Sequence, residues 1–457
     1  MNDTIAAIAT ALAPSAIGIL RLSGPESVAV LDRVFTPAHG GPMSGRPDRT
    51  LVYGTLTDPE GQAIDYCLAT ISRAPHSYTG EDTAELQCHG SPAALVLGLE
   101  ALFAAGARQA QAGEFTRRAF LAGKLDLTRT EAIADLIHAE SPAAVRQAAG
   151  QLGGALARVI EEIYQSLTDL MAHFHAVLDY PDEDIEPFQA AEISSTLAAA
   201  AAKLDRLAGS YRRGRALMEG VPCAIIGRPN AGKSTLFNAL LGYDRAIVTP
   251  IAGTTRDTVE ERLNLGGVLL RLIDTAGLRD ADDQVEQLGV ERSRAAVEQA
   301  ELVLVVLDGS RNLTQEDRDA LDLGLSAPRC AVILNKDDLP GQEGPQLPKL
   351  PPQVPVVRLS ALTGEGVDQL ELAMENLFPD DSGMRPGALL TNARQVQAAQ
   401  QARQAVSQAA QALQNGMPPD AVLSDVEQAL AALGELTGRV VREDVTARIF
   451  ERFCVGK

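Results

Sequence analysis

The chain has 457 residues, too many for one ordinary hydrophobic core, so we expect two or three domains. Its formal net charge of −20 excludes a general polyanion-binding protein, and any contact with nucleic acid would need a local basic patch. The five cysteines are scattered and contain no C-x-x-C pair, which indicates neither a zinc site nor a disulfide framework. No stretch approaches the roughly 20 apolar residues of a membrane span, and we expect a cytoplasmic protein without a membrane anchor.

Short apolar runs separated by Gly- and Pro-rich turns mark the first region, residues 1–118. The runs "IGILRL", "LVYGTL", "DYCLATI" and "TAELQC" predict strands, and "PAALVLGLEALFAAG" predicts a helix. We therefore expect a small N-terminal α+β domain.

Helical patterns dominate the next region, residues 119–219. One apolar stripe recurs there at three- and four-residue steps, through Ile160, Ile163, Leu167, Leu170, Phe174 and Val177. Gly220 is typical of a helix stop. Ala- and Gln-rich helical sequence returns over residues 380–457. The pattern predicts a discontinuous α-helical domain with residues 220–379 inserted into it.

Continuous apolar runs alternate with helical stretches over residues 220–379. The runs "VPCAIIG", "LVLVVLD", "CAVILN" and "VPVVRLS" are typical of strands buried on both faces. This texture predicts an α/β domain with a mostly parallel sheet.

A phosphate-binding loop is predicted by "GRPNAGKS", residues 227–234, which fits G-x-x-x-x-G-K-[ST] between a strand and a helix. Backbone N–H groups and the positive end of the helix would bind the phosphates. Lys233 would reach the β- and γ-phosphates, and the Ser234 hydroxyl would ligate Mg²⁺.

Three further motifs follow strands in the order that a Ras-like P-loop GTPase domain requires. In "DTAG", Asp274 would hold Mg²⁺ through water and the Gly277 N–H would meet the γ-phosphate. In "NKDD", Asp337 can accept both the ring N–H and the exocyclic amine of guanine, and adenine lacks that donor pair, so GTP is selected. In "SAL", residues 360–362, a backbone N–H would lie near the guanine oxygen.

The residue after the DTAG motif raises a catalytic question. Many GTPases place Gln there to orient the attacking water, whereas this chain has Leu278. Carboxylates follow downstream, and composition does not choose among them. Asn230 in the phosphate loop could ligate a monovalent cation that does the electrostatic work of an arginine finger.

Several longer stretches resemble one family, the MnmE (also called TrmE) tRNA-modification GTPases. They are "GRPNAGKST", "IAGTTRDTVEE", "DTAGLRDADDQVEQLGVERS" and the terminal "LTGRVVREDVTARIFERFCVGK". The N-terminal "GILRLSG", "SYTGEDTAELQCHG" and "GEFTRRAFLAGKLDLTRTEAIADLI" also match, so the resemblance covers essentially the whole chain.

The resemblance implies an N-terminal folate-binding and dimerisation domain, a discontinuous helical domain and an inserted GTPase domain. It implies a homodimer that joins the FAD protein MnmG (GidA) in a heterotetramer and acts on tRNA. Together they would build a carboxymethylaminomethyl or aminomethyl group on C5 of the wobble uridine of certain tRNAs. The implied cofactors are GTP, Mg²⁺, K⁺ and a 5,10-methylene or 5-formyl tetrahydrofolate, with FAD entering only through the partner.

The family's functional residues carry over by position. The K⁺ ligands would be the Asn230 side chain and the backbones of Thr249, Ile251 and Thr254, and the Mg²⁺ ligands Ser234 and Thr255. Glu286 matches the glutamate that orients the attacking water through a second water molecule. The nucleotide-binding positions are Asn230, Ala231, Gly232, Lys233, Ser234, Thr235, Thr249, Pro250, Ile251, Ala252, Gly253, Thr254, Thr255, Asp274, Thr275, Ala276, Gly277, Asn335, Lys336, Asp337, Asp338, Ser360, Ala361 and Leu362.

The folate contacts map to Arg21, Glu85, Lys124 and Lys457. Glu85 alternates with apolar neighbours, so it should leave the apolar face of its strand. A pterin ring has a guanine-like donor pair that suits a carboxylate, and the anionic folate tail suits Arg or Lys. The chain departs from the family at "ALAPSA", residues 11–16, where a Pro/Gly/Arg-rich loop is usual.

The ending "FCVGK" places Cys454 where a prenylation box would have its cysteine, but such boxes prefer aliphatic residues next and rarely end in Lys. The family resemblance makes this tail an arm that reaches the folate site, with Cys454 either a thiolate in one-carbon chemistry or a packing residue. This tail argues against one alternative, a lipid-anchored signalling switch. The other alternative, a regulatory GTPase switch in ribosome assembly, is disfavoured because Ala-rich helix follows the GTPase segment where an RNA-binding KH module would be expected.

Overall fold

The computed structural model describes residues 3–179, 190–243, 261–273, 286–339, 345–379, 384–439 and Gly456. The chain divides into two compact units. Unit 1 contains Met1–Ala134 and Ala431–Lys457, and unit 2 contains Asp135–Leu430.

A seven-stranded sheet organises the described part of unit 1. Its strands are β1 (Ile5–Ile8), β2 (Ser15–Ser23), β3 (Phe35–Pro37), β4 (Val52–Thr57), β5 (Ala63–Ser72), β6 (Thr83–Gly90) and β7 (Arg108–Gln109). They lie in the order β3-β4-β5-β6-β2-β1-β7, and every pair is antiparallel except β1 with β7. The four predicted strands are confirmed. β1, β3 and β7 were not predicted, because two to four residues are too few to show a period.

The helices of this region are α1 (Ser27–Val34), α2 (Pro92–Ala104), α3 (Glu114–Leu121) and α4 (Leu127–Ile137). The predicted helix α2 is confirmed, and its start follows from local chemistry: the Ser91 side chain accepts from the Ala94 N–H, and Pro92 occupies the first turn. Along β6 the side chains of Ala84, Leu86 and Cys88 enter the core while Glu85 stays partly exposed, which confirms the predicted alternation.

Helices α5 (Pro142–Leu152), α6 (Ala155–Asp179), α7 (Ala190–Gly209) and α8 (Tyr211–Glu219) begin unit 2. The stripe predicted on α6 is buried at Ile160, Ile163, Leu167 and Phe174, and Leu170 is partly exposed. Val177 lies among the α6 residues whose side chains are outside the described part. The chain turns out of α8 at Gly220, whose φ of 81° confirms the predicted stop.

A six-stranded sheet forms the centre of the described part of the α/β segment. Its strands are β8 (Val221–Ile226), β9 (Glu261–Leu265), β10 (Val268–Leu272), β11 (Leu302–Asp308), β12 (Arg329–Asn335) and β13 (Val356–Arg358). They lie in the order β13-β12-β11-β8-β10-β9, parallel except for the hairpin of β9 and β10. The helices are α9 (Lys233–Tyr243), α10 (Glu286–Gln299), α11 (Gln315–Leu325) and α12 (Val367–Leu377).

Strand β11 shows why these runs are continuously apolar. Leu302, Leu304 and Val306 enter the core on one face of the sheet. The alternate residues Val303, Val305 and Leu307 enter the core on the other face. The parallel arrangement also brings the loops after β8, β11, β12 and β13 to one edge, where ligands of open α/β sheets bind.

Two long helices follow the α/β segment, α13 (Ala393–Gln414) and α14 (Pro419–Thr437). Helix α13 packs against α7. The Gln147 side chain in α5 donates to the Leu389 carbonyl at 3.1 Å and accepts from the Gly387 N–H at 2.7 Å. Helical segments from before and after the α/β segment therefore contact each other directly.

Candidate functional site

The loop between β8 and α9 takes a shape that needs glycine at two positions. Gly232 has a φ of +96°, and a Cβ there would lie 2.1 Å from Asn335 Nδ2. Gly227 has a φ of +152°, and a Cβ there would lie 2.3 Å from the Val306 carbonyl oxygen. Asn230 adopts a φ of 59°, a conformation that Asn tolerates better than most residues. The resulting cradle can present backbone N–H groups and the start of α9 to an anion.

Lys233 is the first residue of α9, and its ammonium bends back over the loop. Its Nζ donates to the carbonyls of Gly227 at 2.8 Å and Arg228 at 2.9 Å. Burial, followed by the positive charge of Arg228, lowers the pKa of Lys233. An anionic ligand would counter both effects, because it would stabilise the charged amine. Ser234 and Thr235 lie in the same first helical turn.

Asn335, the last residue of β12, joins two loops at the sheet edge. Its Nδ2 donates to the Ala231 carbonyl at 2.9 Å, and its Oδ1 accepts from the Ala361 N–H at 2.9 Å. The side chain is buried, so both hydrogen bonds are shielded from water. The Ala361 N–H is one of the backbone donors predicted to face the guanine oxygen, and here it binds Asn335.

The two aspartates after Asn335 have different surroundings. Asp337 is about half exposed and forms an ion pair with Arg358, with Nη1 and Oδ1 separated by 3.3 Å. Asp338 accepts from the Ser360 hydroxyl at 2.6 Å, and that hydroxyl accepts in turn from the Thr363 N–H at 3.2 Å. Asp337 is therefore accessible to a ligand, whereas Asp338 stabilises the loop around Ser360. The Leu362 side chain is exposed.

Part of the predicted nucleotide site lies outside the described residues and stays a prediction. This part contains Thr249, Pro250, Ile251, Ala252, Gly253, Thr254, Thr255, Asp274, Thr275, Ala276 and Gly277. Glu286 is the first residue of α10, and its side chain also lies outside the described part.

A second cluster, in unit 1, brings predicted folate contacts together. Arg21 on β2 pairs in register with Glu85 on β6, and Arg21 Nε donates to Glu85 Oε1 at 2.8 Å. Arg21 Nη1 donates to the carbonyl of Gly456, next to the predicted ligand Lys457, at 3.5 Å. A Cβ on Gly456 would lie 2.3 Å from the Ile8 carbonyl oxygen. The C-terminal tail therefore reaches the Arg21–Glu85 pair at a position that only glycine fits. Lys457 and Cys454 lie outside the described residues.

The loop between β5 and β6 adds aromatic surface to this cluster. The Arg21 guanidinium lies 6.0 Å from the centroid of the Tyr78 ring and 5.9 Å from that of Phe115. The Tyr78 hydroxyl is 3.0 Å from the Thr116 hydroxyl. The predicted ligand Lys124 donates to the Pro75 carbonyl in the same loop.

A buried arginine, Arg118, anchors this loop. Its guanidinium donates to Glu81 Oε2 at 2.9 Å, to Asp3 Oδ1 at 2.9 Å and to Glu114 Oε1 at 3.0 Å. Burial alone would raise the pKa of Glu114, but hydrogen bonds from Arg108, the Gln111 N–H and Arg118 more than offset burial and lower it. The Glu114 carboxylate therefore stabilises the fold in its charged form.

Two family models match almost all of the chain. The model described as "GTP-binding protein TrmE N-terminus" matches residues 4–124. The model described as "MnmE helical domain" matches residues 127–454, more than half of the chain. The chain belongs to the MnmE family of tRNA modification GTPases. The resemblance found in the sequence is thereby confirmed.

Full-length relatives agree with this membership. The tRNA modification GTPase MnmE of Symbiobacterium thermophilum is 44% identical over 458 residues, covering 100% of both chains. The tRNA modification GTPase MnmE of Chloroflexus aurantiacus is 42% identical over 459 residues, again covering 100% of both. A crystal structure of Aquifex aeolicus Era bound to GDP and aluminium fluoride is 27% identical, with a TM-score of 0.25, over 40% of this chain and 65% of that one. Because that TM-score is low, membership in the MnmE family rests on the sequence matches.

Several residues that lie beside the candidate sites of this MnmE-family chain were not predicted from the sequence. Arg358 contacts Asp337, and Asp308 contacts Lys336, although neither belongs to a recognised motif. Tyr78 and Phe115 lie within stretches that match the family, but neither was predicted as a site residue. For Asp308 the sequence did contain a local signal, because an acidic residue ends the otherwise apolar run "LVLVVLD". Among the described helices, none is long and apolar enough to cross a membrane.

Proposed function

We propose that this chain is a K⁺-dependent GTPase that, with the FAD protein MnmG, modifies C5 of the wobble uridine of certain tRNAs. The group built there is of the carboxymethylaminomethyl or aminomethyl type, and a tetrahydrofolate derivative supplies one carbon. Membership in the MnmE family makes the chain a GTP hydrolase that takes part in tRNA modification. The observation that most supports guanine-nucleotide binding is the Asn335 bridge between the phosphate loop and the loop at Ser360.

Backbone and side chains share the work of binding GTP in this proposal. Backbone N–H groups of the loop before α9 bind the phosphates, and Lys233 adds a positive charge that burial makes costly until an anion neutralises it. Asp337 is half exposed and accepts the ring N–H and exocyclic amine of guanine. Ser234 and Thr255 would hold Mg²⁺, which supplies further positive charge beside the phosphates.

Hydrolysis needs a water-orienting group, because Leu278 cannot hydrogen-bond water. We assign that role to Glu286, at the first residue of α10. K⁺ would supply the positive charge that an arginine finger supplies elsewhere. Its ligands would be the Asn230 side chain and the backbones of Thr249, Ile251 and Thr254. The exposed side chain and positive φ of Asn230 within the phosphate loop support this assignment.

The Arg21 cluster is the proposed folate site. The Glu85 carboxylate would accept from the donor pair of the pterin, while Arg21, Lys124 and Lys457 would meet the anionic part of the folate. The contact between Arg21 and the Gly456 carbonyl supports a role for the tail in this site. The bound folate would supply a one-carbon unit, and the residues of this chain would orient it.

The partners follow from the family and remain part of the proposal. We expect a cytoplasmic homodimer that joins MnmG in a heterotetramer and receives FAD only through that partner. The alternative of a ribosome-assembly switch gains no support from residues 384–439. Over that range the structure describes the long helices α13 and α14 and no strand, which disfavours an RNA-binding KH module.

Mass spectrometry of tRNA nucleosides tests the proposed reaction. Cells that lack this chain should lose the C5 group of the wobble uridine, and the unaltered chain should restore it. An unchanged nucleoside profile in the deletion strain would refute the role in tRNA modification.

GTP turnover in KCl and in NaCl tests the cation site. Asn230→Ala should bind GTP nearly normally, because the phosphate contacts are mostly with backbone, and should lose the stimulation by K⁺. Asn238→Ala, the same substitution at an exposed position of α9, is the matched control and should keep the stimulation. If Asn230→Ala keeps the KCl preference of the unaltered chain, the cation is bound elsewhere.

A further inference from the structure

A buried carboxylate, Asp308, lies at the end of β11 between the two nucleotide-facing loops. Its side chain is 6% exposed. Asp308 Oδ1 accepts from the Ser310 N–H at 3.1 Å and from the Ser310 hydroxyl at 2.6 Å. These two hydrogen bonds fix the orientation of the carboxylate and leave Oδ2 to face the neighbouring loops.

Three cations approach Asp308 Oδ2, and two of them belong to the loops that form the nucleotide site. Lys336 Nζ, from the base-reading loop, lies at 2.9 Å. Arg228 Nη2, from the phosphate loop, lies at 3.4 Å. Arg311 Nε lies at 3.5 Å. A second buried carboxylate, Asp317 on α11, lies 3.2 Å from Arg228 Nε.

The backbone conformation of Lys336 shows why its contact with Asp308 matters. Lys336 adopts a φ of 70°, which is unfavourable for a residue with a side chain and persists only when the surroundings hold it. The Gly309 N–H donates to the Asn335 carbonyl at 2.7 Å, so the chain after Asp308 also supports the residue before Lys336. The base-reading loop is therefore held at two neighbouring residues by the end of β11 and the residue after it: Asp308 contacts Lys336, and Gly309 contacts Asn335.

We infer that Asp308 is a positioning residue that sets guanine specificity by holding Lys336, and with it Asp337, in the base-reading conformation while tying the phosphate loop through Arg228. The inference rests on the proposed guanine-nucleotide site. Without the charge of Asp308, Arg228, Lys336 and Arg311 would repel one another at close range, and Asp317 would still offset the charge of Arg228. The two loops would then separate, and Asp337 would lose its alignment with the exocyclic amine of guanine.

The selectivity for GTP over ITP reports this alignment, because ITP lacks only the exocyclic amine that Asp337 is proposed to bind. The full chain and its Asp308→Asn variant are titrated with GTP and with ITP in the presence of Mg²⁺ by calorimetry. We expect Asp308→Asn to weaken GTP binding by tenfold or more, and ITP binding by clearly less. The ratio of the two affinities should therefore fall at least fivefold. Asp319→Asn, an exposed aspartate of α11 that accepts from Gln315, is the matched control and should leave the ratio unchanged.

A residue that only stabilised the fold would lower both affinities alike and leave the ratio intact, and that outcome overturns the inference. If Asp308→Asn does not fold, Asp308→Glu keeps the charge but displaces it by one methylene. The ratio of GTP affinity to ITP affinity should still fall at least threefold in Asp308→Glu. An unchanged ratio in this variant also overturns the inference. A parent chain that binds GTP and ITP alike would instead refute the proposed guanine site, so the two failures are distinguishable.

Discussion

Replacing Asp337 by asparagine tests base recognition without disturbing the fold. The Asp337 carboxylate is about half exposed, and its ion pair with Arg358 spans 3.3 Å at the surface. Exposed pairs of this kind contribute at most about 1 kcal/mol, so the free energy of unfolding should change by no more than that. Asn335 is the contrasting case, because its removal would leave the buried Ala231 carbonyl and Ala361 N–H without their partner.

The effect on GTP affinity should be far larger than the effect on stability. Asp337 would accept two hydrogen bonds from guanine, and hydrogen bonds to a charged group contribute about 1.5–3 kcal/mol each. In Asp337→Asn the amide oxygen can still accept one of them, but the amide NH₂ faces the other guanine donor and leaves it unpaired. One lost hydrogen bond and one unpaired donor together correspond to about 3–6 kcal/mol, or about 10²- to 10⁴-fold in affinity. The new amide can donate one hydrogen bond to the extra carbonyl of xanthine, so xanthosine triphosphate should bind the variant more tightly than it binds the parent.

Calorimetric titration with GTP and with xanthosine triphosphate, beside thermal denaturation, measures both effects. Arg358→Ala removes the ion pair but keeps the Asp337 carboxylate. This variant therefore separates the contribution of the ion pair to stability from the contribution of the carboxylate to GTP binding. Equal GTP affinity in Asp337→Asn and the parent would refute the assignment of Asp337. A large loss of thermal stability in Asp337→Asn would instead show that the ion pair has structural importance.

Four further variants test other parts of the chain. Glu286→Ala should slow GTP hydrolysis by about 10²- to 10⁴-fold while GTP binding and dimerisation in KCl persist, and a near-parental rate would make Glu286 an ordinary charge on α10. Deleting residues 455–457 should weaken the binding of a reduced folate, measured by calorimetry, and leave GTP turnover intact. Cys454→Ser should abolish tRNA modification in a reconstituted assay with MnmG if the Cys454 thiolate is catalytic. The same variant should change modification little if the Cys454 side chain only packs. Arg118→Met removes the buried cation that Glu81 and Glu114 share, while Glu114 keeps its ion pair with Arg108, so the free energy of unfolding at pH 7 should fall by about 3 kcal/mol. The pKa of Glu114 is lower in the folded state than in the unfolded state. The charged Glu114 therefore stabilises the folded state at a pH above its unfolded-state pKa, and this stabilisation is lost as the pH falls through its folded-state pKa. In urea denaturation, the difference in the free energy of unfolding between the parent and Arg118→Met should therefore become smaller in acid. A difference that stays constant with pH would contradict this prediction.

Much of the fold could be predicted from the sequence because its signals are local. The run of β11 is apolar at every position since both faces of the strand are buried, and the stripe of α6 follows the helical period. The phosphate loop could also be predicted, because its glycines are required by backbone geometry within a few residues. Short strands such as β1 and β7 could not, since two to four residues carry no period and become strands only through hydrogen bonds to partners elsewhere in the chain.

The sequence by itself determined the order of the nucleotide motifs, the helical stripes and the long buried strands, and its resemblance to the MnmE family was confirmed. Only the tertiary structure decided which charges meet. Arg21 contacts Glu85 across 64 residues of sequence, and Asp308 meets Arg228 across 80 and Lys336 across 28. An ion pair depends on where two distant backbones are placed, to within about an ångström, and residue periodicity carries no information about that distance. The sheet register and the parallel strand order supply it, because they bring loops that are far apart in sequence to one edge.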